Sequence, residues 1–95
     1  WFRPPFGASS PRLAAAVELA EMVTVWCSVR PRDGVALDDA TLRARCRRIG
    51  PGDIALLHEP LPGRPDRPAA RVLPDVLTDL AGRGLRAITV GELVG

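Results

Sequence analysis

The chain has 95 residues, 46% of them hydrophobic and 25% charged, with a formal charge of +2. Such a length gives one small domain or part of a larger one, with a thin core, and the composition is globular rather than disordered. All thirteen basic residues are arginine, but the net charge is too small to argue for a nucleic-acid partner, and no apolar run approaches the length of a membrane span.

The first residues, Trp1 to Arg3, read as the stub of a strand that Pro4 and Pro5 end. There is no signal-peptide pattern; with bulky Trp1 and Phe2, no initiating Met and Arg3-Pro4-Pro5 following at once, the chain is expected to begin inside an element. Ser10-Pro11 is a helix start, with Ser as N-cap and Pro in the first turn. The helix is expected over 11–20, with Leu13, Ala16, Val17 and Ala20 inward. Met22 to Val29 is expected as a second strand, because Val23, Val25 and Trp26 favour extended backbone. A loop over Arg30 to Gly34 then leads to a second helix over 38–49, opened by Asp38 or Asp39. Leu42, Cys46 and Ile49 follow helical spacing. Arg43, Arg45, Arg47 and Arg48 crowd that helix's carboxyl half, where they read as a solvated face or an anion site. Cys27 and Cys46 lack a Cys-x-x-Cys spacing and read as free thiols.

The stretch Gly52 to Glu59 carries the only histidine. Ile54 to Leu57 is a short unbroken apolar run after a Pro-Gly turn, which predicts a strand buried on both faces. His58 ends it, and working residues of α/β sheets sit at the carboxyl ends of strands. Its imidazole suits proton transfer near neutral pH; alternatively it caps the strand. A loop over Pro60 to Pro68 precedes a third helix, over 69–81, with the stripe Val72, Leu73, Val76, Leu77 and Leu80. Arg86 to Val90 is expected as a fourth strand, before a short closing turn.

Strands alternating with helices predict an α/β fold with a mainly parallel, four-stranded sheet and three helices. In that topology the loops after the strands collect on one face. Arg3, Asp33 and His58 are thus expected to converge. A carboxylate beside an imidazole orients it and holds its tautomer, and an arginine nearby would pair with an anionic or polarised oxygen. The alternative is an ordinary ion-pair network at a sheet edge.

Three segments, in order, resemble motifs of the polysaccharide deacetylases of the NodB-homology type. Arg3-Pro4-Pro5-Phe6-Gly7 is similar to that family's Arg-Pro-Pro-Tyr/Phe-Gly, and Ser28-Val29-Arg30-Pro31-Arg32-Asp33 resembles its Trp-Ser-Val-Asp-Pro-x-Asp-Trp. Gly52 to His58 resembles its Gly-x-Ile-x-Leu-x-His, and Leu80 to Leu93 is similar to its closing helix and strand. The resemblance implies a partial (β/α) barrel, the carboxyl-terminal half of a catalytic domain that hydrolyses N-acetyl groups of a chitin-like glycan or peptidoglycan. It implies His58 as general acid, Asp33 as its orienter and Arg3 as the holder of a catalytic base. It further implies the Phe6 N–H as an oxyanion donor, with Pro5, Trp26 and Leu56 lining the substrate and acetyl pocket. A divalent metal such as zinc, a glycan substrate and an amino-terminal half of the barrel follow as cofactor and partners. The family usually acts at the cell envelope or outside the cell.

The chain also departs from the family pattern. Cys27 stands where the family has a Trp, with Trp26 one residue early; Arg30 replaces a common Asp and Gly34 a common Trp. A Thr-Phe-Asp-Asp motif and a His-x-x-x-His pair do not occur. The 95 residues alone are therefore expected to hold no catalytic metal. A non-catalytic remnant or a carbohydrate-binding α/β module is the alternative.

Overall fold

A computed structural model describes residues 1–95. Its elements are a 3-10 turn, Pro5–Gly7, and four α-helices: α1 Pro11–Leu19, α2 Asp39–Cys46, α3 Ala69–Gly82 and α4 Val90–Val94. There is no sheet. The only bridges are isolated: Phe2 with Thr24 and Val29 with Ala55, both parallel, and Leu61 with Arg64, antiparallel. The expected four-stranded parallel sheet, and with it the partial barrel, is therefore wrong.

The reason lies in how briefly each extended segment keeps a partner. The first segment is cut short by Pro4-Pro5. The second exchanges main-chain bonds with Phe2 through Val23 and Val25, then changes partner, and Ser28 and Val29 both donate to the Ile54 carbonyl. Each pairing stops after one bridge, so no ladder accumulates. The fourth segment pairs with nothing. Thr89 instead caps α4, its hydroxyl accepting from the Glu92 N–H while the Glu92 carboxylate accepts from the Thr89 N–H. That reciprocal Thr-x-x-Glu box turns an expected strand end and closing turn into a helix.

The helices lie close to where the sequence puts them. Ser10 caps α1 through the Leu13 N–H, and Asp38 caps α2 through the Thr41 N–H. The core forms where α2 packs on α3: Leu42, Cys46 and Ile49 against Ala69, Val72, Val76 and Leu80. Burying a Leu or Val side chain contributes about 1.5–3 kcal/mol each. Arg83 ties the far ends together, donating from Nη1 to the Ile49 carbonyl at 2.7 Å and from Nη2 to Asp79 at 2.8 Å. Surface pairs Arg71–Asp39 and Arg43–Asp75 join the same helices but stabilise little.

Elsewhere packing is sparse, and only 13 of the 95 residues are buried, in a slab 41 × 34 × 18 Å. Of the four residues expected inside α1, Val17 alone is buried, while Ala16 and Ala20 are exposed. Of the α3 stripe, Leu73 and Leu77 remain open to solvent. They border an apolar groove shared with Ile88 and Leu93, and the segment expected as the fourth strand, 86–90, lines that groove as well. No helix is long and apolar enough to cross a membrane.

Candidate functional site

The loop after the second extended segment is shaped by Arg32, whose φ of 62° lies in the left-handed region. The turn carries Pro31 and Asp33 inward; both are fully buried. A buried carboxylate must be hydrogen-bonded, and Asp33 spends both oxygens on one residue. Oδ2 accepts the His58 backbone N–H at 2.8 Å, and Oδ1 lies 2.9 Å from His58 Nδ1. Because a carboxylate only accepts, this contact assigns the ring proton to Nδ1. Nε2 is left without a partner, and 39% of the imidazole side chain is solvent-accessible. The ring also lies against Gly34, where a Cβ would sit 3.4 Å from its Cε1.

His58 borders a cavity of about 390 Å³ together with Arg3, Pro5, Phe6, Trp26 and Leu56. Every residue singled out from the sequence lines this cavity except Asp33, which stands behind the imidazole. Arg3 donates from Nε to the Val25 carbonyl at 3.3 Å and has no carboxylate partner. The base it was expected to hold is therefore not among these residues. Phe6 has φ 57° and ψ 13°, a left-handed conformation that costs a non-glycine residue about 1–2 kcal/mol. Its ring is fully exposed, and its backbone N–H makes no hydrogen bond.

Two contacts around the cavity join residues that lie far apart in the sequence or carry no motif role. Arg30 and Cys27 also line the cavity, and Arg30 Nε donates to Cys27 Sγ at 3.1 Å. The departures from the family pattern at these two positions form one contact. A clamp of Ser28 and Asp53 fixes the two segments that carry the site. The Ser28 hydroxyl donates to Asp53 Oδ1 at 2.7 Å and accepts the Ile54 N–H at 2.9 Å, while Asp53 Oδ2 accepts the Gly50 N–H at 2.8 Å. The Gly50 N–H, then the Ser28 hydroxyl, hold the Asp53 carboxyl below the usual carboxylate range. On the core side, burial and then the charge of Asp33 push the Cys46 thiol up.

The donor chemistry does not fit a metal ion. No group of three His, Cys, Asp or Glu side chains converges anywhere in the chain, whereas a catalytic metal takes about three protein ligands. What the arrangement can do is give or take a proton at His58 Nε2, with Asp33 fixing ring and tautomer from behind. Comparison with protein-family models finds no match, and comparison with curated proteins finds none either.

Proposed function

We propose that this chain is part of a metal-dependent polysaccharide deacetylase that hydrolyses N-acetyl groups of a glycan, chitin-like or peptidoglycan. The observation that carries the reading is the two-point hold of Asp33 on His58 at the mouth of the cavity lined by Arg3, Phe6 and Leu56. His58 is the general acid. Its Nε2 faces no internal partner, so a protonated imidazole gives that proton to the departing glycan amine while Asp33 keeps the ring in place. Phe6 offers a free N–H to the oxygen that gains negative charge. Leu56 and Trp26 supply apolar walls for an acetyl group and a sugar face. The metal that supplies activated water in such hydrolysis would have to be held by residues other than these.

Titration with a chitin pentamer, followed by the NMR signals of the His58 ring, tests the reading. Saturable shifts are expected in the parent chain and loss of them in Leu56→Asp. Unshifted signals at millimolar sugar would reject the glycan. The 95 residues alone are expected to release no acetate, with or without added zinc. Metal-dependent turnover abolished by His58→Ala would show that the donors have been misjudged. The lack of a converging donor set favours one second reading, a glycan-binding module without hydrolysis. Sugar binding that is unchanged in Asp33→Asn and His58→Gln would select it.

A further inference from the structure

We propose that the cavity flanked by the loop 28–32 and the end of α2 is a binding site for a phosphoryl-class oxyanion. Its volume is about 550 Å³, and its walls are Ser28, Val29, Pro31 and four arginines: Arg30, Arg32, Arg45 and Arg48. That volume lies within the range of small-ligand pockets, roughly 300–1,000 Å³. No carboxylate lines it. Elsewhere Arg43, Arg64, Arg71 and Arg83 each pair with an aspartate; none of the four cavity arginines does. Arg45 does feel the Asp38 carboxylate near it, but four like charges around one hollow still repel each other, and a multiply charged anion relieves that repulsion.

The chemistry of the walls narrows the ligand. Val29 and Pro31 are the only apolar walls against five polar or charged ones, so an uncharged apolar molecule has little to gain there. Two of the guanidiniums are held in advance. Arg45 Nη1 donates to the carbonyl of the buried Pro31 at 3.0 Å, and Arg30 Nε donates to Cys27 Sγ at 3.1 Å. Each keeps further N–H groups to offer, and donors fixed before binding lose less entropy when they bind. Guanidiniums from a loop and from a helix approach along different directions. A tetrahedral group with three or more acceptor oxygens satisfies them together better than a planar carboxylate does. The arginines of α2 and just beyond it are thereby divided: Arg43 pairs with Asp75, Arg45 and Arg48 join the loop arginines, and Arg47 stays exposed. Arg30 also lines the His58 cavity, so an anion bound here lies next to that site, yet the inference does not depend on the deacetylase reading.

Calorimetric titration of the 95-residue chain, at low and at physiological salt, provides the test. The probes are inorganic pyrophosphate, N-acetylglucosamine 1-phosphate and uncharged N-acetylglucosamine. Saturable binding of both phosphorylated probes is expected, weakened by salt. The double variant Arg32→Gln/Arg48→Gln, whose side chains are exposed and make no hydrogen bond in the fold, should bind both at least tenfold more weakly. The double variant Arg12→Gln/Arg86→Gln removes the same charge elsewhere and should bind like the parent, and circular dichroism verifies that both pairs fold. Tighter binding of the sugar phosphate means that the group arrives on a saccharide; tighter binding of pyrophosphate means a free polyanion. Absence of saturable binding, equal weakening by the two variant pairs, or equal binding of the uncharged sugar would overturn the proposal.

Discussion

By local chemistry α1 is a better helix than α3, and by packing it is far worse. α1 has a serine cap, proline in its first turn and three consecutive alanines. α3 has no side-chain cap and carries Pro74 in its interior, where a proline removes an N–H and crowds the preceding turn. Yet α3 buries Ala69, Val72, Val76 and Leu80, while α1 buries Val17 alone. Pro74 costs about 3 kcal/mol of helical propensity and ordinary residues only tenths, whereas Val72, Val76 and Leu80 each contribute on the order of 2 kcal/mol through burial. Tertiary burial is what holds α3, whereas α1, too short to be stable alone, rests on its cap and the burial of Val17.

The largest effect that would break this contrast comes from the core. Leu42→Ala, at 1% exposure against α3, should cost about 2–5 kcal/mol in urea unfolding. Leu19→Ala on α1, where the side chain is 86% exposed, should stay within about 0.5 kcal/mol. Similar losses from the two would mean that α1 is packed as tightly as α3. Next comes the loop that feeds α2. Asp33→Ala leaves the His58 amide without its acceptor and should cost about 1–3 kcal/mol, placing this loop on the packed side of the molecule. An unchanged unfolding midpoint would detach it from that side.

Ser10→Ala should cost α1 about 1 kcal/mol. Because α1 scarcely touches the core, the loss should register as reduced far-ultraviolet helicity, with little change in the global midpoint. A fall in midpoint as large as that of Asp33→Ala would show coupling that the burial pattern does not provide. The smallest effect is expected in acid. Asp38, the cap of α2, is held below the usual carboxylate range by the Thr41 hydroxyl and then by the Thr41 N–H. Its folded pKa lies below the unfolded value of about 3.9. Its stabilisation is thus full above that value and is lost as pH falls through the folded one. Acid should loosen the first turn of α2 and not that of α1, which is capped by a hydroxyl. Asp38→Asn should remove the difference.

Those helices were legible in the sequence because caps and apolar spacing are local signals. Ser10-Pro11, Asp38 and the stripe over Val72 to Leu80 each announce themselves within a dozen residues. The sheet was not legible, because pairing depends on partners far along the chain. Val23, Val25 and Trp26 favour extended backbone, and they are extended, but nothing in them states that their pairing with Phe2 ends after one bridge. Thr89-Val90-Gly91-Glu92 did carry a local signal for α4, and the apolar run before it outweighed that signal. The meeting of Arg3, Asp33 and His58 was expected from loops at one edge of a parallel sheet; that sheet does not form, and two isolated parallel bridges, Phe2 with Thr24 and Val29 with Ala55, align the segments instead. The Ser28–Asp53 clamp and the four-arginine cavity join side chains from separate segments, which no single stretch displays.

One carboxylate gripping both the ring and the main chain of a single residue gives the molecule a built-in clock. The His58 amide is shielded by Asp33 Oδ2 rather than by a helix or a strand. It should exchange its hydrogen with water when Asp33 Oδ2 lets go, and a swing of the whole carboxylate frees the imidazole as well. The exchange rate of one amide therefore counts the fraction of molecules whose imidazole is unheld, on the timescale of local opening rather than of global unfolding. A ligand that settles against the held ring should slow that single exchange before it alters the melting of the core.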